Sequence, residues 1–246
     1  MIGQIILLGS FILLFIQRGN LVSLIGRFIY QTGNSTGGLK WYARAYKLGG
    51  MSFDNKLLYA YLTLKEGDID EAGKMFALLS MESLKPQQRL NLKASHALVF
   101  WKRKEVDDAI EMLEEVMQKA PSTSTYGSLG FMYAYSGNLT RALEFNLEAV
   151  EYNSTNAIIV DNLAYTYFRM GEKEKAKEYY EKLMELNPTF PEAYFDYGRL
   201  LIQMGEEEKG LEMVRKALSA SFSFLSMLTR IDIIEFLEKF EEKSDE

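Results

Sequence analysis

Few residues in this protein have the types that covalent or metal chemistry needs. It has no cysteine and a single histidine, His96. That removes thiolate nucleophiles, disulfides, Cys-held zinc and iron–sulfur sites, and any centre built on two imidazoles. A Ser-His-Asp arrangement has only His96 to offer, and helix spacing brings no nucleophile or carboxylate beside it, so His96 is expected as a partly buried packing residue. The acidic runs Asp107-Asp108, Glu114-Glu115 and Glu206-Glu207-Glu208 lack the alternating ligand spacing of a calcium loop. They fall where negative charge favours helix starts or outer faces. Residues 33–38, GNSTGG, come closest to an anion loop, but no Lys follows at the required place and no strand precedes them, so they read as a turn. No catalytic residue, no metal site and no cofactor is expected: the protein is read as a non-enzyme.

The charges are distributed unevenly. Of 28 basic residues, five (Arg18, Arg27, Lys40, Arg44 and Lys47) lie in positions 1–50, which hold no Asp or Glu; the other 23 face all 34 acidic residues and leave the rest at −11. An acidic body repels nucleic acid, so no such partner is expected. The basic end is also the apolar end. Residues 2–16, IGQIILLGSFILLFI, carry no charge. As a helix they would span about 23 Å against the roughly 30 Å of bilayer hydrocarbon. The charges follow the apolar run, which argues against a cleaved signal and places the following residues on the cytoplasmic side. Residues 1–18 are thus expected as a membrane-anchor, single-pass transmembrane helix in the cell membrane, with the rest cytoplasmic. The alternatives are a helix buried in the fold or between subunits, or a soluble cytoplasmic protein.

A period of 34 residues organises the elements. From Ala157, Leu163, Ala164, Tyr167, Gly171, Ala176, Tyr180, Leu183 and Pro188 stand at places 7, 8, 11, 15, 20, 24, 27 and 32. The unit from Pro191 supplies Tyr197, Gly198, Leu201, Gly205, Gly210, Val214 and Ala217 in register, and the unit from Thr123 supplies Leu129, Gly130, Tyr133, Gly137, Ala142 and Ala149. Each unit reads as two antiparallel helices. Small residues at places 8 and 20 let them approach, and a Gly at place 15 makes the turn between them. Earlier units fit with flaws: residues 53–86 match, 87–89 interrupt, 90–122 has Lys104 where Gly is expected, and 19–52 has a Gly-rich linker that suggests a loose or remodelled first hairpin.

This pattern resembles the tetratricopeptide repeat (TPR) family, and the apolar start resembles that of membrane-anchored bacterial members. The resemblance implies an all-α TPR superhelix, an α-solenoid of about six helix-turn-helix repeats at 19–52, 53–86, 90–122, 123–156, 157–190 and 191–224. An apolar N-terminal helix precedes them, and a C-terminal capping helix (225–240) and an acidic tail (241–246) follow. It also implies an inner, concave surface lined by places 2, 5, 9, 12 and 13 of each first helix. In this sequence those places put Trp101, Lys102, Phe131, Tyr135, Asp161, Tyr165, Phe168, Arg169, Phe195 and Arg199 forward as protein-binding residues. The rings suit apolar side chains of a peptide or helix, and the arginines an acidic flank. The open alternatives are core packing of those rings, or an intramolecular occupant such as the N-terminal helix. Places 5 and 9 hold Gly127 and Phe131, or Asp161 and Tyr165, so the family's Lys/Asn clamp for acidic chaperone tails is missing.

The function expected from these features is a non-enzymatic interaction scaffold or adaptor at the cytoplasmic face of a bacterial membrane, binding a peptide or helix in an aromatic groove. The alternative is a structural subunit of a homo-oligomer or membrane protein complex, packed through its apolar N-terminal helices.

Overall fold

In the computed structural model, residues 15–244 are described, with side chains to Phe240. Among them the fold is all-α, with thirteen helices and no strand. The pairs are α1 (Arg18–Gln31) with α2 (Ser35–Leu48), α3 (Phe53–Lys65) with α4 (Ile69–Ser80), α5 (Pro86–Lys102) with α6 (Val106–Lys119), α7 (Thr123–Ser136) with α8 (Leu139–Tyr152), α9 (Ala157–Met170) with α10 (Lys173–Glu185), and α11 (Pro191–Gln203) with α12 (Glu207–Ala217); α13 (Arg230–Ser244) comes last. The helices form two compact units that divide within α5, after Val99. Residues 2–14, most of the expected anchor, lie outside the described residues. Among the described residues no helix is long and apolar enough to cross a membrane. This corrects the expected transmembrane helix, and with it the membrane partner and the single-pass location.

Every first helix ends on the same backbone device. Place 15 adopts a left-handed conformation at Gly33, Gly67, Gly137, Gly171 and Gly205, and also at Lys104, φ 70°. The residue after it caps the second helix where its side chain is short enough. Asn34, Asp68 and Asn138 accept from the amides of Gly37, Glu71 and Arg141 at 2.8, 3.0 and 3.2 Å. Lys104 keeps the turn although its Cβ disfavours it. Residues 87–89 lengthen α5 to 17 residues, with Pro86 at its first position, where a missing N–H costs nothing.

In the first unit, Tyr42, Ala45, Met51 and Leu62 form a core with Tyr59 and Tyr61 against it, and the Tyr42 and Tyr59 rings stack at 5.7 Å. The first hairpin is closely packed, contrary to the looseness its glycines suggest. A Cβ on Gly38 would stand 2.9 Å from the Gly26 carbonyl oxygen, and one on Gly26 3.0 Å from the Tyr42 ring. Those glycines are contact points between α1 and α2. His96 packs its ring 5.5 Å from Phe76.

In the second unit, Leu163, Ala164, Ala176, Tyr180, Leu183, Tyr197 and Leu200 are fully or almost fully buried in one cluster. A Cβ on Gly198 would meet the Gly210 carbonyl oxygen at 2.6 Å, and one on Gly210 the Gly198 carbonyl oxygen at 2.6 Å. The two second-helix tyrosine places differ: Tyr180 stacks on Tyr197 at 5.4 Å, whereas its counterpart is Asn146. Asn146 donates to the Gly130 carbonyl (3.2 Å) and to Thr166 Oγ1 (3.0 Å), and Asn162 donates to the Gly127 carbonyl (2.8 Å). A buried amide ladder thus joins α7, α8 and α9. The last helix starts at Arg230 rather than Leu225 because Thr229 and Asp232 form a reciprocal cap. The Thr229 amide donates to Asp232 Oδ2 (2.7 Å), and the Asp232 amide donates to Thr229 Oγ1 (3.2 Å).

Gly198→Leu should destabilise by about 1–3 kcal/mol through overpacking, whereas Glu178→Leu on an exposed face should change the melting temperature little. Equal effects in thermal melts would show the register to be wrong. Lys104→Gly should instead stabilise, by about 1 kcal/mol, by relieving the clash of a left-handed Cβ, visible as an increased denaturant midpoint.

Candidate functional site

The first helices α7, α9 and α11, with the end of α5, carry the second unit's inner-face residues, and these form two groups. In the first, Trp101 is 5% exposed and acts as a floor. Phe131 meets it edge-on at 5.4 Å and Tyr135 at 4.8 Å. Tyr135 remains 37% exposed and Phe131 half-buried, so an approaching side chain would reach these two rings first. One residue on, half-buried Lys102 has its ammonium 4.5 Å from the Phe224 ring. Desolvation lowers its pKa from the ordinary lysine value, with Lys104 acting in the same direction and Glu192 opposing.

In the second group, Phe168 and Phe195 are buried and Arg199 lies over both rings, at 5.3 and 5.6 Å. Arg199 also pairs with Asp196 at 3.0 Å. Exposed Arg169 donates to the half-buried Tyr165 hydroxyl at 3.1 Å. Both arginines expected to meet an acidic ligand flank are therefore engaged within the unit. Asp161 is buried, and its Oδ1 and the Tyr180 hydroxyl have no hydrogen-bond partner among the described residues. Burial raises Asp161 well above the ordinary carboxylate range, and the nearby Asp196 and Glu192 add to this. Burial also pushes Asp196 up to about 6, against the opposing pull of Arg199.

Spacing did not reveal the residues that lie over this face. Residues 218–229, between α12 and α13, have no regular helix. Within them Ser226 Oγ and the Met227 amide donate to Glu192 Oε1, the amide at 2.8 Å. Lys102 Nζ donates to the Ser226 carbonyl at 3.3 Å. Further along, Phe236 of α13 meets Phe195 edge-on at 5.2 Å, in a cluster with Val214, Ala217 and Ile233. Glu192 occupies an inner-face place and could have been singled out from the repeat. Ser226 and Met227 could not, because an irregular segment has no period. Among the described residues no group of three His, Asp or Glu side chains is placed to hold a metal ion.

These hairpins define a class of protein. Two tetratricopeptide-repeat family profiles match the sequence, one over residues 159–190 and one over residues 179–212. Solved structures share the fold. A tetratricopeptide repeat protein from Parabacteroides merdae is 16% identical, with 89% of this protein and 83% of that one covered, at a TM-score of 0.73. A thermophilic TPR protein of Thermus thermophilus is 20% identical over 76% and 98%, at 0.63. The pilF protein of Pseudomonas aeruginosa is 14% identical over 80% and 89%, at 0.61. No curated protein matches this sequence. Residues 159–212 therefore match tetratricopeptide repeats, and the described helices form a hairpin array with the TPR fold.

The buried aspartates give a signed pH dependence. Their folded pKa values lie above the ordinary value of about 3.9, so the unfolded state releases these protons first as pH rises. Their contribution to stability falls from about pH 4 to about 6 for Asp196, and that of Asp161 falls in the same direction as pH rises. Asp161→Asn should therefore raise the melting temperature at pH 7, and the gain should shrink toward pH 4. Melts of both proteins across pH 4–8 would measure it; a gain independent of pH would contradict a buried carboxylate at that place.

Proposed function

We propose that this protein is a structural subunit of a homo-oligomer, packed through the apolar face of α1. The observation that carries this reading is a stripe of large side chains that nothing among the described residues covers: Leu21, Leu24 (56% exposed), Ile25 and Phe28 (68% exposed). Their spacing of three and four residues places them on one side of the helix. The opposite side, through Gly19, Ser23 and Gly26, is the one buried in the fold. Phe15 and Ile16 extend the exposed apolar surface toward the N-terminus. The neighbouring cations are held away from the stripe. Arg18 donates to the Leu48 and Phe15 carbonyls, both at 2.7 Å, and Arg27 interacts with the Tyr42 hydroxyl. An uncharged stripe can meet its own copy across a two-fold axis, which is what an isologous contact requires. Such a stripe is otherwise costly to leave in water.

A second reading concerns the inner face. Tyr135, Phe131, Tyr165 and Arg169 are the reachable members of the proposed protein-contacting set. Trp101, Phe168 and Phe195 support them from below, and Lys102, Asp161 and Arg199 set the local charge. The exposed Tyr135 ring on its Trp101 floor supports this reading.

The first reading is tested by the mass of the full-length protein in solution. Light scattering coupled to size exclusion should give a dimer at micromolar concentration. Leu24→Glu with Phe28→Glu should give a monomer of unchanged helicity, weakened at least about 100-fold because two charges would enter an apolar contact. A wild-type monomer would overturn the homo-oligomer.

A further inference from the structure

One peptide unit is gripped at both ends on the inner face of the second unit. The carbonyl of Ser226 accepts from Lys102 Nζ at 3.3 Å, and the N–H of the same unit, on Met227, donates to Glu192 Oε1 at 2.8 Å. Lys102 ends α5 and Glu192 opens α11, so groups 90 positions apart in sequence converge on one amide. The Ser226 hydroxyl donates to the same carboxylate oxygen, and Phe224 lays its ring 4.5 Å from the Lys102 ammonium.

The chemistry of these contacts is that of a ligand site. Lys102 and Glu192 read a backbone carbonyl and a backbone N–H, which any peptide can present. The Phe224 ring, two residues earlier, supplies the side-chain preference through a cation–π contact. Exposed Tyr135 and half-buried Phe131 stand on Trp101, the residue before Lys102, and offer further ring surface. The ends of the segment are tied down, Ser221 by the Thr189 carbonyl, Phe222 and Leu228 by the cluster around Ile233, and Thr229 as the cap of α13, whereas residues 223–227 between them can leave without breaking a helix ladder, that cap or that cluster. Desolvation of Lys102 means that the departing segment must be replaced, by water or by another peptide.

We propose that residues 223–227, whose Ser226 amide closes a turn on the Ser223 carbonyl, are a built-in occupant of this face, and that an external peptide making the same turn, with an aromatic residue two positions before the clamped unit, displaces them. The segment is then an intramolecular competitor, present at the high local concentration of a tethered ligand, and external binding depends on how often it opens. This inference rests on the inner face as a contact surface and is independent of α1.

The probe is a labelled synthetic peptide of residues 221–230, SFSFLSMLTR, titrated into the full-length protein and read by fluorescence anisotropy. Two variants release the protein's own segment. Met227→Pro removes the N–H that Glu192 accepts, and Phe224→Ala removes the ring from Lys102 and leaves every backbone contact intact. Each should bind the probe about tenfold more tightly than wild type, because the competent state becomes more populated. Adding Glu192→Ala and Lys102→Met to either variant should return affinity to the wild-type level or below. Leu24→Glu with Phe28→Glu should leave probe binding unchanged, so failure of the α1 contact and failure of the clamp are distinguishable. Equal affinity in wild type and both released variants would overturn the proposal, as would a gain that survives loss of the two clamp residues. If both released variants melt early without binding more probe, the segment is a strut of the fold and the proposal falls as well.

Discussion

The close approach of two helices within each hairpin is the constraint on which the other features depend. At Gly198 and Gly210 a carbonyl oxygen of each helix lies where the other's Cβ would be, 2.6 Å away. At the corresponding places, Ala164 and Ala176 are fully buried. This contact sets how far apart the helices of a hairpin stand, and so how much room remains for the large residues beside it: Tyr180, Tyr197, Leu163 and Leu200. Burying side chains of that size contributes roughly 2–3 kcal/mol each. A loss of a few tenths of an ångström at the small residues would be felt throughout, because packed interiors deform little.

Fixed spacing in the hairpins also decides the character of the inner face. First helices held at a constant separation bring rings from successive repeats into contact. Trp101 can thus become a floor for Phe131 and Tyr135, and Arg199 can cover Phe168 and Phe195 together. The same packing gives Arg199 an acidic partner and leaves the exposed Arg169 with a neutral one. Arg199 is paired with Asp196 and Arg169 with the Tyr165 hydroxyl. Asp161 and Asp196 are buried with Glu192 nearby, and burial holds both aspartates toward the protonated state.

The apolar stripe of α1 and the clamp on residues 226–227 lie in different compact units and call for different chemistry. The first is an uncharged surface without backbone hydrogen-bonding groups on offer, suited to a large, flat, self-matching contact. The second has few side-chain determinants and a strong backbone component, suited to a single short peptide turn. On the two proposals, one surface holds copies together and the other exchanges a short segment.

Sequence alone determined the repeat. The 34-residue period, the small residues at places 8 and 20, and the turn at place 15 are local requirements of helix geometry, each repeated, so each is legible without a structure. Even the departure at Lys104 is legible as a departure, and the fold answers it by placing a lysine in the glycine conformation. The Asn146 ladder was not legible, because an amide at a place filled elsewhere by a tyrosine makes sense only once Gly130, Asn162 and Thr166 are beside it. Nor was the difference between buried Trp101, Phe168 and Phe195 and exposed Tyr135, since identical helical spacing puts all of them on one face and the neighbouring repeat decides which are covered. The meeting of Lys102, Glu192 and Ser226 belonged wholly to tertiary structure. Ser226 stands one 34-residue period after Glu192, but no hairpin of the repeat forms there, and only the accumulated geometry of several hairpins brings a helix end, a helix start and a loop to one peptide group.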